Sequence, residues 1–438
     1  MIRWIMKYIP LLLICVLLGC SSNKKQQAPV AGVPVINLSE NVIKVSSLPL
    51  SEAVAGIEVV QLEATDKSYI GEIHRAQVTE HDIWIKPEKG FYIYRFSRSG
   101  NYLNWVGKIG QGPGEYASCA DFFIDEMQKE VYIVSSEKGI LVYDFEGNFK
   151  RMATYLRESD IFMSAETQHL LFNKCFFISQ NMNFYNPTSI ADSLWSFAWV
   201  DSTFNKKKIF KNPVHVGKEK QIIENKASME KMVNYWTESV TNIDTYSDQL
   251  TLKYPDTDTV YQYCFDTEML VPQYSIFTKE EKGDYATTHK WFKERGAFDY
   301  FTITSYYPSR EFIYLVGNKG DKIYTYCYNK QDGNVRVEER QGEITERKVP
   351  WFNIPYRRME RPFVLNNDLC GGDFTVEHRS LGRYWIDVLE PDNANNWIDI
   401  NLVKMSLVKD EDKKQEFIKV LESINEDSNP ILQIATLK

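Results

Sequence analysis

Arg357, Arg358 and Arg361 form the sharpest cluster of chemically capable side chains in the chain, interrupted by Met359 and Glu360 and closed by Pro362. Guanidinium groups bind carboxylates and phosphates through paired hydrogen bonds. Trp351, Phe352 and Tyr356, just upstream, would supply aromatic platforms beside them, a pairing that suits a sugar acid or a peptide. His378 belongs to a looser polar group with Asp368, Asp373 and Glu377, next to Gly371–Gly372. Trp351, Tyr356, Arg357, Arg358, Arg361 and His378 are therefore the ligand-binding candidates. The competing readings are a solvated loop for the arginines and a plain turn for the polar group.

Catalytic machinery is not legible. The six histidines, at 74, 81, 169, 215, 289 and 378, form neither HxH nor HExxH. The cysteines form no CxxC and show no zinc-ligand spacing. No GxSxG nucleophile motif occurs. The glycine-rich run Gly110–Gln111–Gly112–Pro113–Gly114 invites a phosphate-loop reading, but no GK[ST] follows it and no helical pattern supplies an anion-binding N-terminus. Gly110, Gly112, Pro113 and Gly114 read instead as a tight structural turn, with Glu115 and Tyr116 packing against it. No catalytic residue, metal ligand or cofactor is expected.

Cys20 has the most defined chemistry of all. Arg3 and Lys7 precede an apolar run, Ile9 to Leu18, interrupted only by Pro10. That run is too short to span a bilayer, which takes about 20 apolar residues. A charged start and a short apolar core make a secretory signal. It ends in Leu17–Leu18–Gly19–Cys20, the lipobox pattern in which cleavage precedes the cysteine and its thiol takes a diacylglyceryl group. Residues 1–19 are thus expected to be a signal peptide and 20–36 a polar, flexible tether. Ser21–Lys25 contains no acid, unlike the acidic stretch that typically marks surface export, so the expected placement is the outer membrane facing the periplasm.

Losing Arg3 and Lys7 on cleavage moves the net charge from −8 to −10. A mildly acidic chain argues against a nucleic-acid partner. Lys206–Lys208 is its densest basic spot and reads as a solvated loop. Five cysteines remain besides Cys20 (Cys119, Cys175, Cys264, Cys327 and Cys370), an odd number at wide spacing that implies buried thiols and no disulfide framework.

These residues sit on a β-rich frame. Aromatics make up 14% of the chain, with 26 Tyr and 24 Phe, and aromatics favour strands. Ile83–Trp84–Ile85, Ile93–Phe96 and Gly100–Tyr102 recur as Val131–Tyr132–Ile133, Val142–Phe145 and Gly147–Phe149. A repeat of roughly 40–50 residues made of short strands marks a propeller blade. Weaker units follow at 175–200, 250–263, 312–326 and 373–388, giving six. The expected fold is all-β, a six-bladed β-propeller over residues 37–438, with a β-sandwich or two β domains as the alternative. Helical spacing predicts short insertions at Lys218–Trp236 and Asp284–Arg295, and a C-terminal helix over 409–425 with Phe417, Leu421 and Ile424 on its buried face. The strand at 57–62 precedes the first full repeat, so it is expected to complete the last blade beside 373–388. The closing strand 431–437 should pack at the same seam.

Gly107–Lys108–Ile109–Gly110–Gln111–Gly112–Pro113–Gly114–Glu115–Tyr116 resembles a segment of the six-bladed β-propeller lipoproteins of Bacteroidetes, an NHL/TolB-like family. Tyr94–Arg95–Phe96 with Gly100–Asn101–Tyr102, and the ending Glu426–Asp427–Ser428–Asn429–Pro430–Ile431–Leu432, resemble two further stretches of it. The resemblance implies a lipid-anchored envelope propeller and specifies no reaction. The expected function is non-catalytic binding of a glycan, a peptide or an envelope protein. The alternative is a channel-centred enzyme, such as a metal-dependent lactonase-like hydrolase or a lyase.

Overall fold

The computed structural model describes residues 29–135, 137–155, 168–172, 175–179, 195–202, 205–213, 216–217, 242–247, 249–254, 257–280, 301–349, 354–391 and 399–438. Six antiparallel sheets form a β-propeller. In chain order, blade one is 73–106, blade two 121–155, blade three 168–210, blade four 242–277 and blade five 302–341. Blade six combines His378–Ser380, Tyr384–Leu389, Ile431–Leu437 and Val54–Gln61, in that spatial order.

Strand alternation explains why so many residues of the second and third strands are apolar. Successive side chains point to opposite faces, and each blade is packed on both. Ile83 and Ile85 face blade six, while Trp84 between them faces blade two. Val131 and Ile133 face blade one, and Tyr132 and Val134 face blade three. Each of the six junctions between neighbouring blades therefore has its own apolar core, and the largest lies between blades five and six.

The ring closes where the sequence places the seam. Val54–Gln61 pairs directly with Ile431–Leu437, Val59 opposite Gln433 and Gln61 opposite Ile431. Two details differ from expectation. Asp373–Thr375 is not in blade six; it pairs with Val364–Asn366 in a separate small hairpin, and the innermost strand of blade six is the three-residue His378–Ser380. Lys206–Lys208 is not a loop but the start of the outer strand of blade three, Lys206–Phe210. The chain also adds two outermost parallel strands before the ring begins. Val35–Asn37 pairs with blade four and Val42–Val45 with blade five.

Two helices occur among the described residues, α1 (Ile400–Met405) and α2 (Glu411–Ser423), both between the second and third strands of blade six. Asp410 caps α2 by accepting a hydrogen bond from the Lys413 amide at 2.9 Å, and Glu411 and Asp412 favour its positive end. Phe417 and Ile418 are buried against the core between blades five and six, with Leu421 and Ile424 beside them. The expected insertions at 218–236 and 284–295 lie outside the described residues. Cys119, Cys175, Cys264, Cys327 and Cys370 are all free thiols, and burial pushes Cys119 up to about 12. No described helix is long and apolar enough to cross a membrane.

Glycines of the repeat make the blade-to-blade joints. Gly100 and Gly147 turn the third strand into the fourth at positive φ. A Cβ on Gly100 would lie 2.2 Å from the Gln61 carbonyl oxygen of blade six, and one on Gly147 would lie 2.7 Å from the Trp105 carbonyl oxygen of blade one. No side chain fits either joint.

Candidate functional site

The first strands of the blades pack against one another around the axis, and ion pairs cross the space between them. Arg379 of blade six donates to the Asp244 carboxylate of blade four at 2.6 Å and to the Tyr306 carbonyl of blade five at 3.3 Å. Its guanidinium stands 4.9 Å from the Tyr307 ring centre. Burial raises the Asp244 carboxyl above its usual range despite Arg379. Between blades one and two, Arg75 bonds Asp121, and the Gln77 amide donates to the Phe122 carbonyl at 3.1 Å. The Ser380 hydroxyl joins blades six and one, donating to the Val78 carbonyl and accepting from the Val78 amide. These polar residues are thus engaged with their neighbours across the axis.

The turns from first to second strand open onto one face, here termed the lower face. There a cavity of about 390 Å³ is lined by four blades: Ile124 to Gln128 from blade two, Leu171 from blade three, Thr245 and Ser247 from blade four, and Leu381 and Arg383 from blade six. Ile124, Leu171 and Leu381 give apolar wall; Asp125, Glu126, Gln128, Ser247 and Arg383 give polar groups. Asp125 accepts from the Gln128 amide at 2.9 Å, and Glu126 accepts from the Glu80 amide at 2.9 Å. Arg383 stands 3.6 Å from Glu126, and Asp125 is the described wall carboxylate without an ion pair.

Three of the six described non-glycine residues with left-handed backbone stand at this mouth. Lys129, Ser247 and Leu381 hold φ of 52°, 54° and 54°, in the turns of blades two, four and six. The left-handed region disfavours residues bearing a Cβ, a bulky leucine most of all. Leu381 is followed by Gly382, where a Cβ would lie 2.7 Å from the Thr245 carbonyl oxygen. Blades four and six therefore touch through backbone at the cavity's edge.

The residues singled out from sequence are elsewhere. Tyr356, Arg357 and Arg358 lie on Ile354–Glu360, which pairs with Glu343–Val349 in a hairpin after blade five, a strand and not the expected loop. Trp351 lies outside the described residues. The Arg361 Nε donates to the Thr375 hydroxyl at 2.8 Å, and its guanidinium stands 3.7 Å from Asp373. Asp368 is bound by Ser51 and Lys409, which hold its carboxyl below the usual range although burial works to raise it. His378 is on the innermost strand of blade six. Arg361, Asp368 and His378 do not line the cavity. Sequence reading missed the cavity because its polar residues come from turns of distant segments and form no motif.

The glycine-rich run connects the outer strand of blade one to the inner strand of blade two. Glu115 accepts from the Gly112 amide at 2.9 Å and pairs with Lys108 at 2.7 Å, and Lys108 with the Gly112 amide holds its carboxyl below the usual range. The Tyr116 hydroxyl donates to the Phe91 and Val106 carbonyls, and the Tyr143 hydroxyl donates to the Gly114 carbonyl. Gly114 has φ of 70°, whereas Gly112 is not in the left-handed region. Among the described residues no group of three His, Cys, Asp or Glu is placed to hold a metal.

A six-bladed propeller with a polar mouth defines the architecture, and the chain belongs to the DUF4934 family, a domain of unknown function, which it matches over residues 33–436. Among solved structures it is similar to a Bacteroides fragilis protein described as exported, at 17% identity and a TM-score of 0.57, covering 92% of this chain and 99% of that one. That likeness shows the fold. A DUF4221 family member from Bacteroides vulgatus aligns at 8% identity and a TM-score of 0.44, covering 88% and 97%. The extracellular domain of a one component system from Bacteroides thetaiotaomicron aligns at 11% identity and 0.36, covering 74% and 34%. The search of curated proteins gave no match.

Proposed function

We propose that the protein is a lipid-anchored envelope lipoprotein, held in the outer membrane through Cys20 on the periplasmic side, and that it binds a partner at its lower mouth without catalysing a reaction. The observation that carries the binding reading is the coincidence of a cavity with left-handed, non-glycine turn residues, Ser247 and Leu381 in its lining and Lys129 next to it in the chain. Strain of this kind persists where the surrounding structure holds a surface in a set shape, and it concentrates at ligand sites. The cavity falls within the usual range for ligand pockets, about 300–1,000 Å³. Its lining favours a peptide over a glycan. Among the described residues no aromatic ring lines it for a sugar to stack on, and Asp125 and Glu126 face Arg383. A short peptide segment carrying a basic residue, presented by an envelope protein, matches an apolar wall whose described residues carry one more carboxylate than cation. The arginine hairpin after blade five is a second candidate, whose residue types suit an acidic group.

Thermal-shift measurements with lysine-containing oligopeptides and neutral oligosaccharides test this, since a ligand of the folded state raises its melting temperature. Peptides should raise it, and Gln128→Trp, which fills the exposed mouth, should remove the rise. A shift from oligosaccharides alone would refute the ligand class. A peptide shift that survives Gln128→Trp would refute the site.

A further inference from the structure

The route by which the chain joins the ring determines which part of the ring a membrane can reach. The described residues begin at Pro29, and the backbone docks at the outer edge of blade four. The Val30 amide donates to the Ser275 hydroxyl at 2.9 Å, the Ser275 amide donates to the Pro34 carbonyl at 3.0 Å, and Val35–Asn37 then runs parallel to Ser275–Phe277. The residues from Cys20 to this point reach at most about 35 Å in any conformation. A chain of this length folds to a radius of gyration of about 22 Å, so the ring is roughly 55 Å across. A lipid on Cys20 would keep blades three to five close to the bilayer. With the disc standing on that rim, blade one, on the opposite side of a six-membered ring, lies roughly 55 Å from the bilayer.

The near rim has the chemistry of a surface that meets headgroups. Val35–Asn37 covers only the end of the Met269–Phe277 strand, and the part from Met269 to Gln273 has no strand beyond it among the described residues. Met269 and Val271 on that bare edge are half exposed, as is Ile43 on the rim of blade five, and Ile209 on the rim of blade three is more than a third exposed. The Lys208 ammonium stands 3.5 Å from the Met269 sulfur and 5.9 Å from the centre of the Phe210 ring, so a cation bridges the rims of blades three and four. Lys44 on blade five is largely exposed and stands 3.8 Å from the Glu339 carboxylate, which meets part of its charge. Apolar side chains interleaved with lysines suit a bilayer interface bearing anionic lipid. Asp266 and Glu268 lie in the turn at the lower end of the edge, which limits the electrostatic part and leaves the apolar contact to dominate. Pro272 sits within the bare edge. It removes a backbone donor, which opposes pairing with another strand and leaves a neighbour that needs no strand hydrogen bonds.

We propose that the outer edges of blades three to five, centred on Lys208, Met269 and Val271, rest on the phospholipid surface that receives the Cys20 lipid. The disc then stands on its rim and the lower mouth opens sideways into the aqueous compartment. This orientation rests on the lipid anchor proposed above. Leu103 and Trp105 on blade one and Phe149 on blade two are also exposed, but they meet the same bilayer only if the disc tilts off the rim that carries the tether. Laying the lower face on the membrane would press Asp125 and Glu126 against anionic headgroups.

The full lipidated protein, reconstituted in phosphatidylethanolamine–phosphatidylglycerol vesicles doped with a photoactivatable phospholipid, gives a direct test when labelled peptides are mapped by mass spectrometry. Labels should concentrate on 206–210 and 269–273. Met269→Glu with Val271→Glu, both at exposed positions, should cut the label on 269–273 several-fold while the protein still floats with the vesicles. Labelling centred on 102–106 and 149–151, or on the 125–130 turn, would overturn the orientation. So would labelling of 269–273 that the double variant leaves unchanged. The intact mass of the mature chain reports the anchor separately: an unmodified Cys20 would remove the anchor reading and this orientation with it, whereas a lipidated chain labelled elsewhere would remove the orientation alone.

Discussion

Blade two and blade six reach the same four-stranded plan by opposite routes. Blade two is a single stretch, 121–155, with each strand beside its predecessor in sequence and turns of a few residues. Blade six is assembled from three separate pieces, 378–389, 431–437 and 54–61, and carries two helices between its second and third strands. Local pairing costs little loop-closure entropy, while pairing across almost the whole chain costs more and forms late. The difference shows in the packing. The core between blades two and three consists of strand residues and Trp195, whereas the one between blades five and six also takes in Val403, Phe417 and Ile418 from the two helices. A blade closed by distant segments is held by more than its own ladder.

Truncation before Lys409 should break the comparison most severely. It removes α2 and the third strand of blade six, and leaves Val54–Gln61 with no ladder partner. Circular dichroism should show loss of cooperative melting of the whole domain; a truncated protein melting at the wild-type temperature would make the tail an appendage. Phe417→Ala keeps every strand and empties one fully buried site, so it should cost about 3–5 kcal/mol in denaturant unfolding. A cost near zero would mean that α2 does not hold the seam.

The glycine-rich connection into blade two offers a finer contrast. Valine at Gly114 would need φ of 70° and a Cβ 2.5 Å from the Phe149 ring, costing about 2 kcal/mol or more. Valine at Gly112 meets only the Glu115 carboxylate, the far end of a flexible side chain, at 3.0 Å, and should cost clearly less. Equal losses would show that the turn is not held where Phe149 packs on it.

A further contrast concerns pH. Asp387 in blade six is buried, accepts from the Gln433 side-chain amide at 3.1 Å, and is pushed up to about 7 chiefly by burial. An unfolded aspartate gives up its proton near pH ~4. Between these values the folded chain holds the extra proton, so this group makes stability fall as pH rises from about 4 to 7, with the penalty complete above 7. Asp387→Asn should flatten that slope between about pH 4 and 7. Glu130 in blade two behaves oppositely: hydrogen bonds from Arg151 and Lys150 outweigh its burial and hold it at about 2, so its contribution is lost only in stronger acid. An unchanged slope in the Asp387 variant would assign the pH dependence elsewhere.

Blade two is more legible in the sequence than blade six for the same reason that it is simpler to build. Its second and third strands bury both faces and read as apolar runs, Val131–Val134 and Ile140–Tyr143. The innermost strands are not legible. Ile73–Val78, Asn242–Tyr246 and His378–Ser380 carry Arg75, Gln77, Asp244 and Arg379, which satisfy neighbouring blades across the axis and so break the apolar pattern. The seam at 54–61 is readable because that strand has no blade of its own. The mouth is not, because Asp125, Ser247 and Arg383 are ordinary turn residues until the ring brings them together.

That ring is the premise of the mouth, since blade six supplies Leu381 and Arg383 to it. Native-state hydrogen exchange tests it most directly, because amides in a closed ladder exchange only through global opening. The paired amides of Val54–Gln61 and Ile431–Leu437 should match the protection of blade two's Val131–Val134. Rapid exchange along Val54–Gln61 in a protein whose blade two stays protected would show a ring that is open at blade six, and would remove the basis for a four-blade mouth.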